Sequence, residues 1–245
     1  MRCFAPLLAL CLSLPGLAVA EERAVPAGGG ALALAIKTAG AGDTLRLGPG
    51  RHQGGLDITR PVTIDCAAGA EIDAGGQGSV LTLRAPEVTI SGCTLTGSGS
   101  DHEALDSGIR LLKGADGARI IGNHLSGNLY GVDIHGARNA KVKGNTIEGR
   151  QDHRMNARGN AVYLWDARGA EVVGNDIRWG RDGIFVNTSH SNAFFGNRFR
   201  DLRFAVHFMY ANKSEVRGNL SIGNHLGYAV MFSKGLWLLN NVSLG

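Results

Sequence analysis

Apolar and polar positions alternate in short runs through the second half of the chain: Val132-Asp133-Ile134-His135, Val162-Tyr163-Leu164-Trp165, Ile184-Phe185-Val186-Asn187, Val206-His207-Phe208-Met209 and Tyr228-Ala229-Val230-Met231. Period-two alternation rich in β-branched and aromatic residues predicts half-buried strands. A second set of strands, marked by Val142, Val172, Phe194 and Val216, runs into a Gly-Asn corner or a close variant of it. The corner asparagines are Asn123, Asn145, Asn175, Asn197, Asn219 and Asn241, with steps of 22, 30, 22, 22 and 22 residues. A fixed period of this kind marks a solenoid, whose coils bury their apolar sides only by stacking on one another. The period is too short for most helical-pair repeats, and the glycines oppose long helices. Leucine-rich repeats share the length, but their leucine pattern is missing. The predicted fold is therefore all-β, a right-handed parallel β-helix (solenoid) with coils of about 22 residues.

In the first half, strands are predicted at 44–47, 62–64, 80–83 and 88–90. The apolar stretch ALALAIKTA at 31–39 predicts a short N-terminal capping helix, which would cover the open end of the stack. The corner asparagines read as scaffold. Asn tolerates left-handed turn geometry, and stacked Asn side chains can bond coil to coil as a ladder. Cys93 lies one 30-residue step before Asn123 and is placed at the same corner. The two 30-residue steps hold insertions, GSGSDHEALDS (97–107) and RQDHRMNAR (150–158). Both follow the corner and precede the next alternating strand, so both loops should emerge from one edge, about two coils apart, either framing a binding face or as solvated loops that have drifted in length.

Composition narrows the setting. Arg2, the apolar run Leu7 to Leu14, and Ala18-Val19-Ala20 before Glu21 read as a signal peptide over 1–20, with a β-helix domain over 21–245. Export follows, to the periplasm if the source is Gram-negative, and no stretch is long enough to span a membrane. Loss of Arg2 takes 25 basic residues to 24 against 21 acidic ones, formally +3. With no basic run, no nucleic-acid partner is indicated. Of the cysteines, Cys66 and Cys93 would remain, either as a disulfide, which an oxidising compartment and a coil spacing of about 4.8 Å permit, or as two buried thiols.

If Val132, Ile134 and their equivalents face inward, one outward column reads Asp133, Tyr163, Phe185, His207, Ala229, and the next His135, Trp165, Asn187, Met209, Met231. Aromatic, imidazole and thioether groups are unusual on a solvated sheet. Met209 and Met231 fall one coil apart in register, with His207 two residues before Met209. Thioether sulfur prefers cuprous copper, and imidazole suits several transition metals. The columns thus offer a weak metal site at Met209, Met231 and His207. The apolar reading is a partner-docking face at Asp133, His135, Tyr163, Trp165, Phe185 and Asn187. No catalytic set stands out, since no two carboxylates of the outward columns fall in register in adjacent coils. Asp101, His102, Glu103 and Asp106 in one loop, with Asp152 and His153 in the other, read mainly as solvated loop charge. A carbohydrate-binding or carbohydrate-active β-helix, of the polysaccharide lyase or epimerase kind, remains the alternative, motivated by the Trp165, Tyr163 and Phe185 patch.

The stretch GNAVYLWDARGAEVVGNDIRWGRDGIFVNTSHSNAFFGNRFRDLRFAVHFMYANKSEVRGN, followed by NHLGYAVMFSK, resembles the NosD family. The likeness extends back through GARNAKVKGNTIEGR and GSGSD to GDTLRLGPG. It implies a periplasmic, non-enzymatic β-helix protein needed to mature nitrous oxide reductase. Such a protein would help copper delivery, with copper bound transiently and in the cuprous state. The implied partners are an ABC transporter (permease and ATPase), a copper chaperone and the reductase itself. NosD-like chains continue further, so the resemblance also implies that the domain is truncated beyond Gly245.

Overall fold

The structure is a computed structural model and describes residues 20–152 and 154–245. The leader expected at 1–20 lies outside the described residues except for Ala20. The chain winds through three parallel sheets of ten, nine and eight strands, each strand paired with its equivalent in the next coil. One coil runs through Glu171–Val173, Asp176–Arg178 and Asp182–Asn187 in turn.

The sequence pattern shows two strands per coil; the molecule has three. The strand that alternation does not reveal follows the asparagine at once, as in Thr146–Glu148, Asp176–Arg178 and Arg198–Arg200. Each is three residues long and turns only its central residue inward, Ile147, Ile177 or Phe199. A single apolar position is too little for a period of two to register. Thr44–Leu47 and Val162–Trp165 match their predicted bounds. The other alternating strands begin two residues earlier, as Tyr130–His135, Asp182–Asn187, Phe204–Met209 and Leu226–Met231.

The core is the inside of the coil, where Val142, Val172, Phe194 and Val216 meet Ile184, Val186, Val206 and Phe208. At the N-terminal end, the helix Ala31–Thr38 buries Leu32 and lays Ala31, Ala35 and Ile36 on the core. Ahead of it, Glu22–Val25 adds a strand, not apparent in the sequence, beside Thr44–Leu47. Together they cover apolar surface that an open coil would leave to water.

One corner carries the asparagine ladder. Asn145 Oδ1 accepts hydrogen bonds from the Asn123 backbone N–H (2.9 Å) and from Asn123 Nδ2 (3.1 Å), and Asn123 Nδ2 also donates to the Ile90 carbonyl (2.9 Å). The same set repeats through Asn175, Asn197, Asn219 and Asn241. The preceding Gly174 (φ 64°) and its equivalents adopt the left-handed backbone, and Asn240 (φ 53°) takes that role in the last corner, as glycine and asparagine most readily do. Cys93 occupies the ladder corner, where its N–H donates to Asn123 Oδ1 (3.0 Å). It forms a disulfide with Cys66, with Cα atoms 4.9 Å apart.

Asn175→Ala leaves the buried Asn145 N–H without its acceptor and the Val142 carbonyl without its donor. We expect a loss of about 3 kcal/mol in urea unfolding from these unsatisfied groups. Asn156→Ala, at an exposed position, should change stability by less than about 0.5 kcal/mol. Equal effects at the two sites would remove the ladder's structural role.

Candidate functional site

The outward side of the eight-stranded sheet carries the two predicted columns in register. Asp133 pairs with Tyr163, Tyr163 with Phe185, Phe185 with His207 and His207 with Ala229. In the second column His135 pairs with Trp165, Trp165 with Asn187, Asn187 with Met209 and Met209 with Met231. Val206 and Phe208 are in the core, so His207 and Met209 point away from it on the same face.

Outward does not mean exposed here. Asp133 is 0 % and His207 5 % accessible, whereas Trp165 is 38 % and Met231 41 % accessible. His207 of the candidate metal set and Asp133 of the candidate docking face are therefore buried although their columns face outward. The cause is registry itself, because side chains one coil apart lie on one another rather than projecting. Tyr163 stacks on Phe185 with centroids 5.3 Å apart and planes 7° apart, and Phe185 stacks on His207 at 4.7 Å. Phe204 closes on His207 edge-on at 5.1 Å. In the second column His135 stacks on Trp165 at 4.2 Å. His135, Tyr163, Phe185, Asn187 and Met209 are partly buried. Met231 belongs to the last strand of this sheet and has no coil over it among the described residues.

Charge is distributed along the same face in pairs that the column reading missed. Arg110 Nε donates to Asp133 Oδ2 at 3.1 Å. Burial pushes the Asp133 carboxyl up to about 7, against the opposing pull of the Arg110 charge. One step to the side, Arg203 grips Asp182 with two bonds, 2.8 and 2.6 Å, and His207 Nδ1 lies 3.1 Å from Asp182 Oδ2. Burial raises the Asp182 carboxyl, but the bonds from His207 and Arg203 outweigh it and hold it below the usual range. Burial also lowers His135, as does the nearby Arg110 charge. In register Asp182 pairs with Phe204, not with a charged group. Its partners lie diagonally, on Arg203 and His207 of the next coil, where a column read vertically does not look.

The two inserted loops meet. Arg150 donates to the carbonyls of Ser98 (2.9 Å), Gly99 (2.7 Å) and Gly127 (2.9 Å) and to the Ser100 hydroxyl (2.7 Å). His102 Nε2 lies 3.1 Å from the Ala157 carbonyl, and its Nδ1 lies 3.3 Å from the Tyr130 hydroxyl. The loop carboxylates are largely engaged in local structure. Asp101 accepts from the backbones of Glu103 and Ala104, which lower its carboxyl, and Asp106 accepts from the Asp101 N–H. A cavity of about 660 Å³ opens along this edge beside Ser98, Glu148, Arg150 and Trp179. Asp152 is exposed, and His153 lies outside the described residues. Among the described residues no three His, Cys, Asp or Glu side chains converge as a metal site.

Residues 143–245 match the family model described as periplasmic copper-binding protein (NosD). A protein of Pseudomonas aeruginosa strain PAO1 named probable ABC transporter binding protein NosD is 41 % identical over 178 residues, covering 73 % of this chain and 40 % of its own length. The chain belongs to the NosD family. Its Stutzerimonas stutzeri relative, of the same name, is 41 % identical over 138 residues, 56 % of this chain and 32 % of that protein. This NosD-family chain thus spans two fifths or less of the length of these two relatives. Among solved structures, polygalacturonase from Erwinia carotovora superposes with a TM-score of 0.65 at 12 % identity, over 95 % of this chain and 82 % of that one. That likeness concerns the β-helix fold alone.

For this NosD-family face, Asp133 supplies a pH signature. Its carboxyl titrates near 7 when folded and near the ordinary 3.8 when unfolded. The folded state therefore binds more protons between these values, and Asp133's contribution to stability falls as pH rises from about 4 to about 7. Asp133→Asn should gain stability relative to wild type across that interval in urea titrations at stepped pH. A wild-type-to-variant difference independent of pH would contradict the assignment.

Proposed function

We propose that this chain is a periplasmic accessory protein for the maturation of nitrous oxide reductase. It takes up copper from a chaperone and helps deliver it to the reductase's copper centres, working with the permease and ATPase of an ABC transporter. The observation that carries the reading is the direct pairing of Met209 with Met231 on adjacent strands, two residues beyond His207. Parallel strands lie about 4.8 Å apart, so two thioether sulfurs can approach one ion. Soft sulfur with one imidazole suits a cuprous ion and offers little to calcium or magnesium. A ligand set of this kind fits copper held briefly as cargo. The family's description as periplasmic and copper-binding, and its relatives' name as transporter binding proteins, point the same way. The Cys66–Cys93 disulfide fits an oxidising compartment. No described helix is long and apolar enough to cross a membrane.

The docking face that accompanies this reading is smaller than the columns implied. His135, Trp165 and Asn187 continue the methionine column, Asn187 next to Met209, and remain at least partly accessible, while Tyr163 and Phe185 are stacked on each other. That stacking also weakens the carbohydrate alternative. A sugar packs on an exposed aromatic face, and here the neighbouring rings cover one another's faces. The carboxylates Asp133 and Asp182 are likewise engaged by arginines, so a non-enzymatic role is favoured.

Titration of the purified protein with cuprous ion under a competing chelator should show saturable binding. Met209→Ala combined with Met231→Ala should weaken it by at least tenfold, with melting temperature little changed. Binding indifferent to the double substitution would end the assignment of copper to this pair.

A further inference from the structure

His207 is held in a way that a core histidine does not require. Its Nδ1 is 3.1 Å from Asp182 Oδ2, and that carboxylate, 1 % accessible, is fixed from the other side by both arms of Arg203. Phe185 supports the ring face at 4.7 Å and Phe204 the edge at 5.1 Å. The imidazole is thus fixed in orientation as well as in place. Its remaining nitrogen, Nε2, is buried and has no hydrogen-bond partner among the described residues. Buried polar atoms are normally satisfied, and one that is not calls for an explanation.

The carboxylate decides which nitrogen carries the proton. A carboxylate paired on both oxygens with a guanidinium offers only acceptor positions. The Nδ1 facing it must then be the donor, and in a neutral ring Nε2 keeps its lone pair. An imidazole whose second nitrogen donates to a carboxylate is both oriented and made more basic toward a metal. On the proposed copper reading, on which this inference rests, we infer that Asp182, braced by Arg203, is the positioning residue that presents His207 Nε2 to cuprous copper beside Met209 and Met231. Asp182 does not touch the ion. It acts through the ring, and Arg203 acts through Asp182. Imidazole is a suitable copper ligand, and the two thioethers supply the preference for the cuprous ion. The arrangement accounts for the orphaned Nε2, the doubly held carboxylate and the burial of a histidine on an outward column. Stacking by itself accounts for the burial, but not for the orphaned Nε2 beside a doubly held carboxylate.

The first test needs no substitution. Long-range ¹H–¹⁵N spectra of the copper-free protein should show His207 protonated at Nδ1 and bare at Nε2. A neutral ring that carries its proton at Nε2 overturns the inference. The second test is cuprous titration of Asp182→Asn and His207→Ala, singly and together, in proteins that retain the wild-type circular dichroism spectrum. Removing an outer partner of a metal-bound histidine typically costs about 10–100-fold in affinity. We expect Asp182→Asn to fall in that range, and the double variant to bind no more weakly than His207→Ala alone. Arg203→Gln, which keeps the carboxylate, should give a smaller loss in the same direction. If wild type binds copper, the methionine double variant does not, and Asp182→Asn binds like wild type, this inference fails while the copper reading stands. If wild type binds no copper, both fail.

Discussion

Each coil of this protein is tied to the next by parallel strand pairing in strict vertical register, and everything else follows from that constraint. The register makes residues one period apart into obligatory neighbours, whatever their chemistry. At one corner it places an asparagine over an asparagine, so that each side-chain carbonyl accepts from the backbone and the amide of the coil below. A disulfide joins that corner to its neighbour where Cys93 replaces asparagine. On the eight-stranded sheet the same geometry sets Met209 against Met231.

Registry also sets what can be reached. On an isolated strand an outward side chain faces water. On a stack its nearest neighbours are the equivalent residues above and below, and rings in register lie flat on one another. Tyr163, Phe185 and His207 bury one another in this way. The polar groups trapped beside them need partners within the face, and find them diagonally: Asp133 with Arg110, and Asp182 with Arg203 and His207. In the second column Trp165 keeps a substantial part of its surface in water.

The insertions show a different kind of coupling. Lengthened corners two coils apart are brought together by Arg150, whose guanidinium reaches three carbonyls and a hydroxyl, and by His102. Their common edge was predictable from where they interrupt the period. Their contact was not, because it depends on the path each loop takes across the short corner between them.

The sequence alone determined the solenoid, its period, the ladder corner and the pairing of the methionines, because a rigid repeat converts spacing along the chain directly into contact. It also carried the capping helix and the longer strands, where alternation ran far enough to be seen. Left to the tertiary structure were the third strand of each coil, with a single inward residue to announce it, the strand at Glu22–Val25, and the disulfide state of Cys66 and Cys93. So were the burial of Asp133 and His207 and the clasp of Asp182 by Arg203. Those depend on side-chain directions and diagonal reach between coils, and a period, which records only which residues lie directly above one another, does not contain them.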